Sequence, residues 1–112
     1  MKPANALLHG TLEALILKSI AGEPQHGYAI ARSLERTTRH AITIEDGSLY
    51  PALYRLEANG FIASDWTTSE LGRRIKQYKL TPKGRRRLTR ETDTWSRFAE
   101  AISSVLLGKG RP

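Results

Sequence analysis

The length, composition and charge of the chain exclude several classes of protein. Its 112 residues match one domain of the usual size, about 100–200 residues, and 39% hydrophobic with 26% charged residues predicts a soluble globular fold. The absence of cysteine excludes disulfides, Cys-ligated zinc and thiol chemistry, while a net charge of +7 favours an anionic partner, nucleic acid ahead of a membrane surface. The longest apolar run, residues 14–17, is far shorter than the about 20 residues that cross a bilayer, so we expect a cytoplasmic protein without a signal peptide.

Helical periodicity dominates the first half of the chain. One apolar stripe lies between an N-cap at Thr11 and a stop at Gly22, and it consists of Leu12, Leu15, Ile16 and Ile20. A second stripe predicts a helix over about residues 25–37. The β-branched alternation of residues 42–44 predicts a short strand, and a third helix follows to a stop near Gly60. Because proline is tolerated in the first turn of a helix, Pro51 predicts that this helix begins near Gly47 or Ser48.

Two strands and a long helix are predicted for the second half. Residues 61–66 and 74–80 are rich in aromatic and β-branched side chains and predict a hairpin, with Tyr78 and Leu80 facing inward. Thr81 followed by Pro82 is typical of a helix start, and this helix is predicted to reach about Leu107.

The order of these elements predicts a mainly α fold with a small β-hairpin. We assign residues 1–81 to a winged helix-turn-helix DNA-binding domain, with the wing at about residues 61–80. Residues 82–107 are then a long C-terminal dimerisation helix, and residues 108–112 are a flexible tail.

Positive charge is concentrated around the predicted wing. No acid lies between Glu70 and Glu91, and this interval holds nine of the 18 basic residues: Arg73, Arg74, Lys76, Lys79, Lys83, Arg85, Arg86, Arg87 and Arg90. Such a run is often only a solvated face, but its place on a hairpin beside a third helix favours contact with the phosphates and minor groove of double-stranded DNA.

The third helix predicts a hydrogen-bonding outer face. With its leucines turned inward, the outward residues are Gly47, Tyr50, Pro51, Tyr54 and Ala58, flanked by Ser48 and Arg55. Tyr and Ser hydroxyl groups can bind phosphate or base edges, and Arg55 can pair with guanine. Packing of the two tyrosine rings between helices is the alternative interpretation.

The last helix carries an apolar seam with heptad spacing. Together with Leu7 and Leu8 near the first helix, the seam is predicted to form a dimer interface through Leu88, Trp95, Phe98, Ile102, Val105 and Leu106. Packing within one chain is the alternative. Trp95 lies in the middle of the seam, where its indole either lines a cavity for a flat aromatic effector or fills the dimer core. Two-fold symmetry predicts recognition helices about 34–36 Å apart, and hence a palindromic site.

Residues suited to catalysis or metal binding are sparse. His9, His26 and His40 lie in separate segments, and neither an H-E-x-x-H nor a G-x-S-x-G motif occurs. We therefore predict no enzymatic activity, no cofactor and no metal site.

Five short segments, in order along the chain, resemble the PadR family of bacterial transcriptional regulators. They are GTLEALIL at residues 10–17, HGYAI at 26–30, GSLYPAL at 47–53, RLE at 55–57 and YKLTPKG at 78–84. The resemblance implies a homodimeric winged-helix repressor that binds an operator with dyad symmetry and dimerises through its C-terminal helix. It implies DNA contacts from the third helix and the wing, through Ser48, Tyr50, Pro51, Tyr54, Arg55, Arg73, Arg74 and Lys76. Some members of the family respond to planar aromatic effectors near a tryptophan of the last helix, which Trp95 resembles.

Two other functions stay open on the sequence alone. A winged-helix module for protein interaction would use the face of Tyr50 and Tyr54 on a partner protein. A small-molecule-binding dimer would centre on Trp95 and would have no specific DNA target. The uninterrupted run of cations favours the DNA-binding interpretation over both.

Overall fold

The computed structural model describes residues 11–108, which form four helices and three strands. In chain order these are α1 (Leu12–Ser19), β1 (Gln25–His26), α2 (Gly27–Thr37), α3 (Asp46–Ala58), β2 (Ile62–Thr68), β3 (Arg74–Leu80) and α4 (Pro82–Leu106). The predictions for Leu7, Leu8 and the tail beyond Gly108 lie outside the described residues. Within residues 11–108, none of the helices is both long enough and apolar enough to cross a membrane.

The first three helices pack around a single apolar core. Each contributes side chains spaced three and four residues apart, which places them on one helical face, as the periodicity predicted. The largest fully buried side chains are Ile16, Leu17, Ile20, Ile30, Leu49, Leu53, Leu56 and Ile62. Burial of one such aliphatic side chain stabilises the fold by about 1.5–3 kcal/mol, so these contacts hold the helices and the base of the hairpin together.

The strand predicted at residues 42–44 is wrong, because within the described residues this segment is a bend followed by irregular backbone and does not join the sheet. Ile44 is buried in the core, and its backbone N–H donates to Glu35 Oε2 at 2.8 Å. The β-branched residues therefore reflect core packing, because Ile42 also packs against the core beside Ile44. The third strand is β1, which pairs antiparallel with β3, so α2 begins at Gly27 and not at residue 25.

Helix α3 begins at Asp46, slightly earlier than predicted, and Pro51 is its sixth residue. Proline has no N–H group, so it cannot donate to the carbonyl of Gly47 one turn earlier. Gly47 is exposed, and water can therefore bond that carbonyl. The proline is tolerated because this end of the helix faces solvent.

The hairpin is confirmed, and its register defines two faces. Strands β2 and β3 pair from Ile62 with Leu80 at the base to Thr68 with Arg74 near the turn. Directly opposed residues share a face, so the face that begins with buried Ile62 continues through Ser64 and Tyr78. We call this the inner face of the wing, since its base packs on the core.

Helix α4 begins as predicted and its first turns pack on the domain. Thr81 is the N-cap and accepts a hydrogen bond from Gly84 N at 2.9 Å, with Pro82 in the first helical position. Gly84 is buried, and half-buried Leu88 packs against the core. The C-terminal half of α4 extends beyond these contacts, and its apolar side chains are exposed.

Candidate nucleic-acid interface

Helix α3 presents the polar face that the sequence predicted. Ser48, Pro51 and Tyr54 are exposed, and Tyr54, at 75%, is the more open of the two tyrosines of α3. Tyr50 is 46% exposed because its ring lies across the start of α2: a methyl group added at Gly27 would lie 2.9 Å from Tyr50 Cε1. Tyr50 thus combines the packing role with a partly free edge, while Tyr54 is open to a ligand.

Arg55 lies in an ion pair on the side of α3 that faces α1. Its Nε donates to Glu13 Oε2 at 2.9 Å, and the other oxygen of Glu13 accepts from Arg87 Nη2 of α4 at 2.8 Å. Burial raises the pKa of Glu13, but the hydrogen bonds and charges of the two arginines outweigh this effect and hold the pKa below its ordinary value. The Arg55 side chain is nevertheless 56% exposed, and Glu13 engages only its Nε.

A second carboxylate joins the wing to α3. Glu57 Oε2 accepts a hydrogen bond from Ser64 Oγ of β2, and Glu57 Oε1 lies 3.5 Å from Lys76 Nζ of β3. Burial raises the pKa of the nearby Tyr78 hydroxyl; Lys76 opposes the shift, while Glu57 and Tyr50 add to it. Lys76, predicted to contact DNA, is therefore placed to hold the wing against α3.

The wing turn carries the predicted cations Arg73 and Arg74. Gly72 adopts φ +81°, the left-handed region that favours glycine, and the turn is closed by Ser69 N donating to Arg73 O at 2.7 Å. In the part of the chain that the structure describes, Arg73 is exposed and forms no ion pair. The Arg74 guanidinium carbon lies 5.2 Å from the centre of the Trp66 ring.

The structure separates the run of nine cations into two groups. Strand β3 has seven residues, which at about 3.3 Å each place the wing turn roughly 20 Å from the start of α4. Four cations belong to the wing, with Arg73 and Arg74 at the turn and Lys76 and Lys79 along β3. The other five belong to α4: Lys83, Arg85, Arg86, Arg87 and Arg90. Only part of the predicted positive surface therefore lies beside the wing tip.

The apolar seam of α4 is exposed along its C-terminal half. Trp95 and Phe98 have ring centres 5.8 Å apart, and the exposed apolar stretch continues through Ile102, Val105 and Leu106. Leu88 departs from the predicted seam, because it packs against the core of its own chain. The remaining members form an uncovered apolar face in a single chain.

Trp95 also lines a cavity of about 770 Å³ between α1 and α4. Phe61 and Phe98 supply further apolar wall, and Arg87, Arg90 and Glu91 supply charge. A volume of this size fits a small organic molecule. Among residues 11–108 no group of acidic or histidine side chains is arranged to hold a metal ion.

Sequence reasoning missed three residues at this interface, namely Glu13, Glu57 and Trp66. Glu13 meets Arg55 and Arg87 across 42 and 74 residues of chain, so no local pattern signals either pair. Glu57 and Trp66 lie in predicted elements, but their contacts depend on the strand register and on how the wing leans on α3.

Three packed helices, a two-stranded wing and a long terminal helix define a winged-helix protein. Comparison with known proteins agrees with this class. The profile of the "Transcriptional regulator PadR-like family" matches residues 16–90. The transcriptional regulator Rv3488 of Mycobacterium tuberculosis is 34% identical over 93 residues, which cover 83% of this chain and 79% of that protein.

Solved structures give the same result. A transcriptional regulator from Clostridium thermocellum superposes with a TM-score of 0.82 at 26% identity, covering 90% of this chain and 98% of the other. A PadR-like transcriptional regulator from Bacillus cereus superposes with a TM-score of 0.79 at 28% identity, covering 95% and 99%. The chain belongs to the PadR-like family of transcriptional regulators, and it is a regulator and not an enzyme.

Proposed function

We propose that this regulator is a homodimer that binds double-stranded DNA with sequence preference, at an operator with dyad symmetry. The observation that carries the proposal is the adjacency of two surfaces: the exposed Tyr54 face of α3, and the wing that Glu57 ties to that helix. A helix of this kind fits the major groove, and a wing beside it reaches the neighbouring backbone and minor groove.

The two surfaces would contribute differently to binding. Ser48, Tyr50, Pro51 and Tyr54 on α3 would contact bases and nearby phosphates, and Arg73 and Arg74 on the wing would contact phosphates. Arg55 and Lys76 are held by Glu13 and Glu57, so they act mainly by fixing the positions of α3 and the wing. If the dimer neutralises about 8 phosphates, the logarithm of the binding constant should fall with log salt with a slope near −7.

The exposed seam of α4 supports the proposed dimer. Trp95, Phe98, Ile102, Val105 and Leu106 form an apolar face that a monomer would leave in water, and a two-fold partner can cover it with the same face. We propose repression through occupation of the operator, in the cytoplasm where bacterial chromosomal DNA lies. A planar aromatic effector at the Trp95 cavity would release DNA by favouring a dimer with a different separation of its α3 helices.

Selection of bound duplexes from a random library, at about 150 mM salt, tests the DNA-binding proposal directly. We expect an enriched palindrome with half-sites about one turn apart. Absence of enrichment at every salt concentration would contradict the proposal and favour a protein-interaction module. Saturable quenching of Trp95 fluorescence by an aromatic ligand in a Trp66→Phe background, without any DNA selectivity, would favour a small-molecule-binding dimer.

Two arginine variants that remove equal charge provide a matched control for the proposed orientation. Arg73 lies at the wing turn, while Arg85 lies on α4 roughly 20 Å away along β3, and both are exposed. Loss of one phosphate contact per protomer should flatten the salt slope of Arg73→Ala by about 2, because each contact contributes about 0.9. The Arg85→Ala slope should match wild type, and equal slopes in the two variants would contradict the orientation.

A further inference from the structure

Trp66 lies on the inner face of the wing, but beyond the part of that face that packs on the core. The face begins with buried Ile62, continues with Ser64 bonded to Glu57 of α3, and then reaches Trp66, which pairs directly with Lys76. The alternation of β2 fixes the indole on the side of the recognition helix. The ring is nevertheless 60% exposed, so a large apolar surface faces the space between α3 and the wing turn.

Arg74 accompanies the indole at the open end of the same face. Arg74 is opposite Thr68, two pairs nearer the turn than Trp66 and Lys76 and therefore on the same face, and its guanidinium lies over the Trp66 ring. Stacking on an aromatic face restricts a long flexible side chain and leaves its N–H groups free for an anion. Within the described part of the chain, Arg74 forms no ion pair with a carboxylate.

We propose that Trp66 and Arg74 form one contact unit for the DNA backbone, with the indole against a deoxyribose and the guanidinium on the adjacent phosphate. This inference rests on the proposed function, which it deepens by assigning a residue outside the helix and the wing turn. Charge complementarity favours DNA over a second copy of this chain as the molecule that binds at Trp66 and Arg74. A second copy of this chain would bring another cationic wing to the same place, whereas DNA offers alternating sugar and phosphate.

The position of the unit explains why the wing is tied to α3. Glu57 accepts a hydrogen bond from Ser64, which lies between buried Ile62 and exposed Trp66 on the inner face. Glu57 also pairs with Lys76, the residue opposite Trp66. This tie fixes how far the indole stands from the Tyr54 face of α3. The separation of the two surfaces is then set within one protomer, so base contacts and the backbone contact are made in one orientation.

Binding of a labelled duplex to Trp66→Leu, Trp66→Phe and a matched Thr67→Val variant tests the assignment. Thr67 is the neighbouring residue on the opposite face of β2, so its variant controls for altered strand stability. We expect Trp66→Leu to weaken binding about tenfold, Trp66→Phe to weaken it less, and Thr67→Val to bind like wild type. In a Trp66→Leu and Arg74→Ala double variant, the combined loss should be smaller than the product of the single losses.

Acrylamide quenching provides a second readout that does not depend on the stability of the leucine variant. DNA should shield wild-type tryptophan fluorescence from acrylamide, and this shielding should disappear in Trp66→Phe, which retains Trp95. If wild type binds DNA while Trp66 stays accessible, or if Trp66→Leu binds as tightly as wild type, the contact unit is refuted and the proposed function stands. If the wild-type protein binds no duplex at all, the proposed function fails and this inference fails with it.

Discussion

Gly84 allows the first turn of α4 to approach the base of the hairpin closely. A Cβ at this position would overlap the carbonyl oxygen of Phe61 and would lie 2.9 Å from Leu80 Cδ1. The Phe61 oxygen cannot easily move, because it accepts hydrogen bonds from Thr81 N at 3.2 Å and from Thr81 Oγ1 at 2.9 Å. Gly84→Ala therefore requires a shift of backbone against backbone.

Opposing effects determine how much Gly84→Ala changes the free energy of unfolding. Alanine is favoured over glycine inside a helix by about 1 kcal/mol. Overpacking a filled site costs typically about 1–3 kcal/mol, and more where backbone moves. Loss of the two Thr81 bonds would add about 0.5–1.5 kcal/mol each. We expect a net destabilisation of about 2 kcal/mol, which for a domain of this size lowers Tm by about 8–16 °C.

Thermal and urea unfolding of Gly84→Ala beside Gly47→Ala measures this effect. Gly47 lies in the first turn of α3, and a Cβ there would meet no atom within 4 Å. The control should be as stable as wild type or more stable by up to about 1 kcal/mol. A Gly84→Ala protein with wild-type stability would refute the close packing of α4 on Phe61.

Three further predictions concern charge, specificity and assembly. Because the folded-state pKa of Glu13 is below its ordinary value of 4.5, the stability from this carboxylate is complete above that value and is lost as pH falls through the folded pKa. Glu13→Gln should therefore be less stable than wild type in urea at about pH 7, and the difference should close in acid; a difference that does not depend on pH would contradict the ion-pair explanation. Tyr54→Ala should lose about 5- to 150-fold in preference for the selected operator over random DNA. In the same titration, Arg73→Ala should weaken binding to operator and to random DNA about equally. Identical patterns of loss in the two variants would contradict this division of roles. Ile102→Glu should sediment as a folded monomer because it puts charge on the exposed seam, whereas Leu88→Ala should lower Tm because Leu88 packs on the core; a dimeric Ile102→Glu protein would place the interface elsewhere.

The helices and the hairpin could be predicted because burial imposes periodicity on the sequence. In α3, inward Leu49, Leu53 and Leu56 repeat at helical spacing, and in β3 the inward positions alternate. Thr81 and Pro82 located the start of α4, because capping is a local effect. These features need no knowledge of distant neighbours.

The errors in prediction arose where a distant partner decided the outcome. Residues 42–44 alternate like a strand, yet the Glu35 carboxylate takes the Ile44 N–H that a neighbouring strand would have taken. Two-residue β1 exists only because β3 lies beside it. Distant partners also hold two residues predicted to contact DNA: Glu13 pairs with Arg55 and Glu57 pairs with Lys76 across the fold, and their DNA contacts stay predictions.

Hydroxyl-radical footprinting of the selected operator maps where one dimer lies on DNA, and so tests the proposed use of α3 and the wing. We expect two protected regions related by the dyad, one helical turn or about 34–36 Å apart, each flanked by minor-groove protection that Arg73→Ala removes. A single protected region, or protection unchanged by Arg73→Ala and lost in Arg85→Ala, would contradict the proposed use of α3 and the wing.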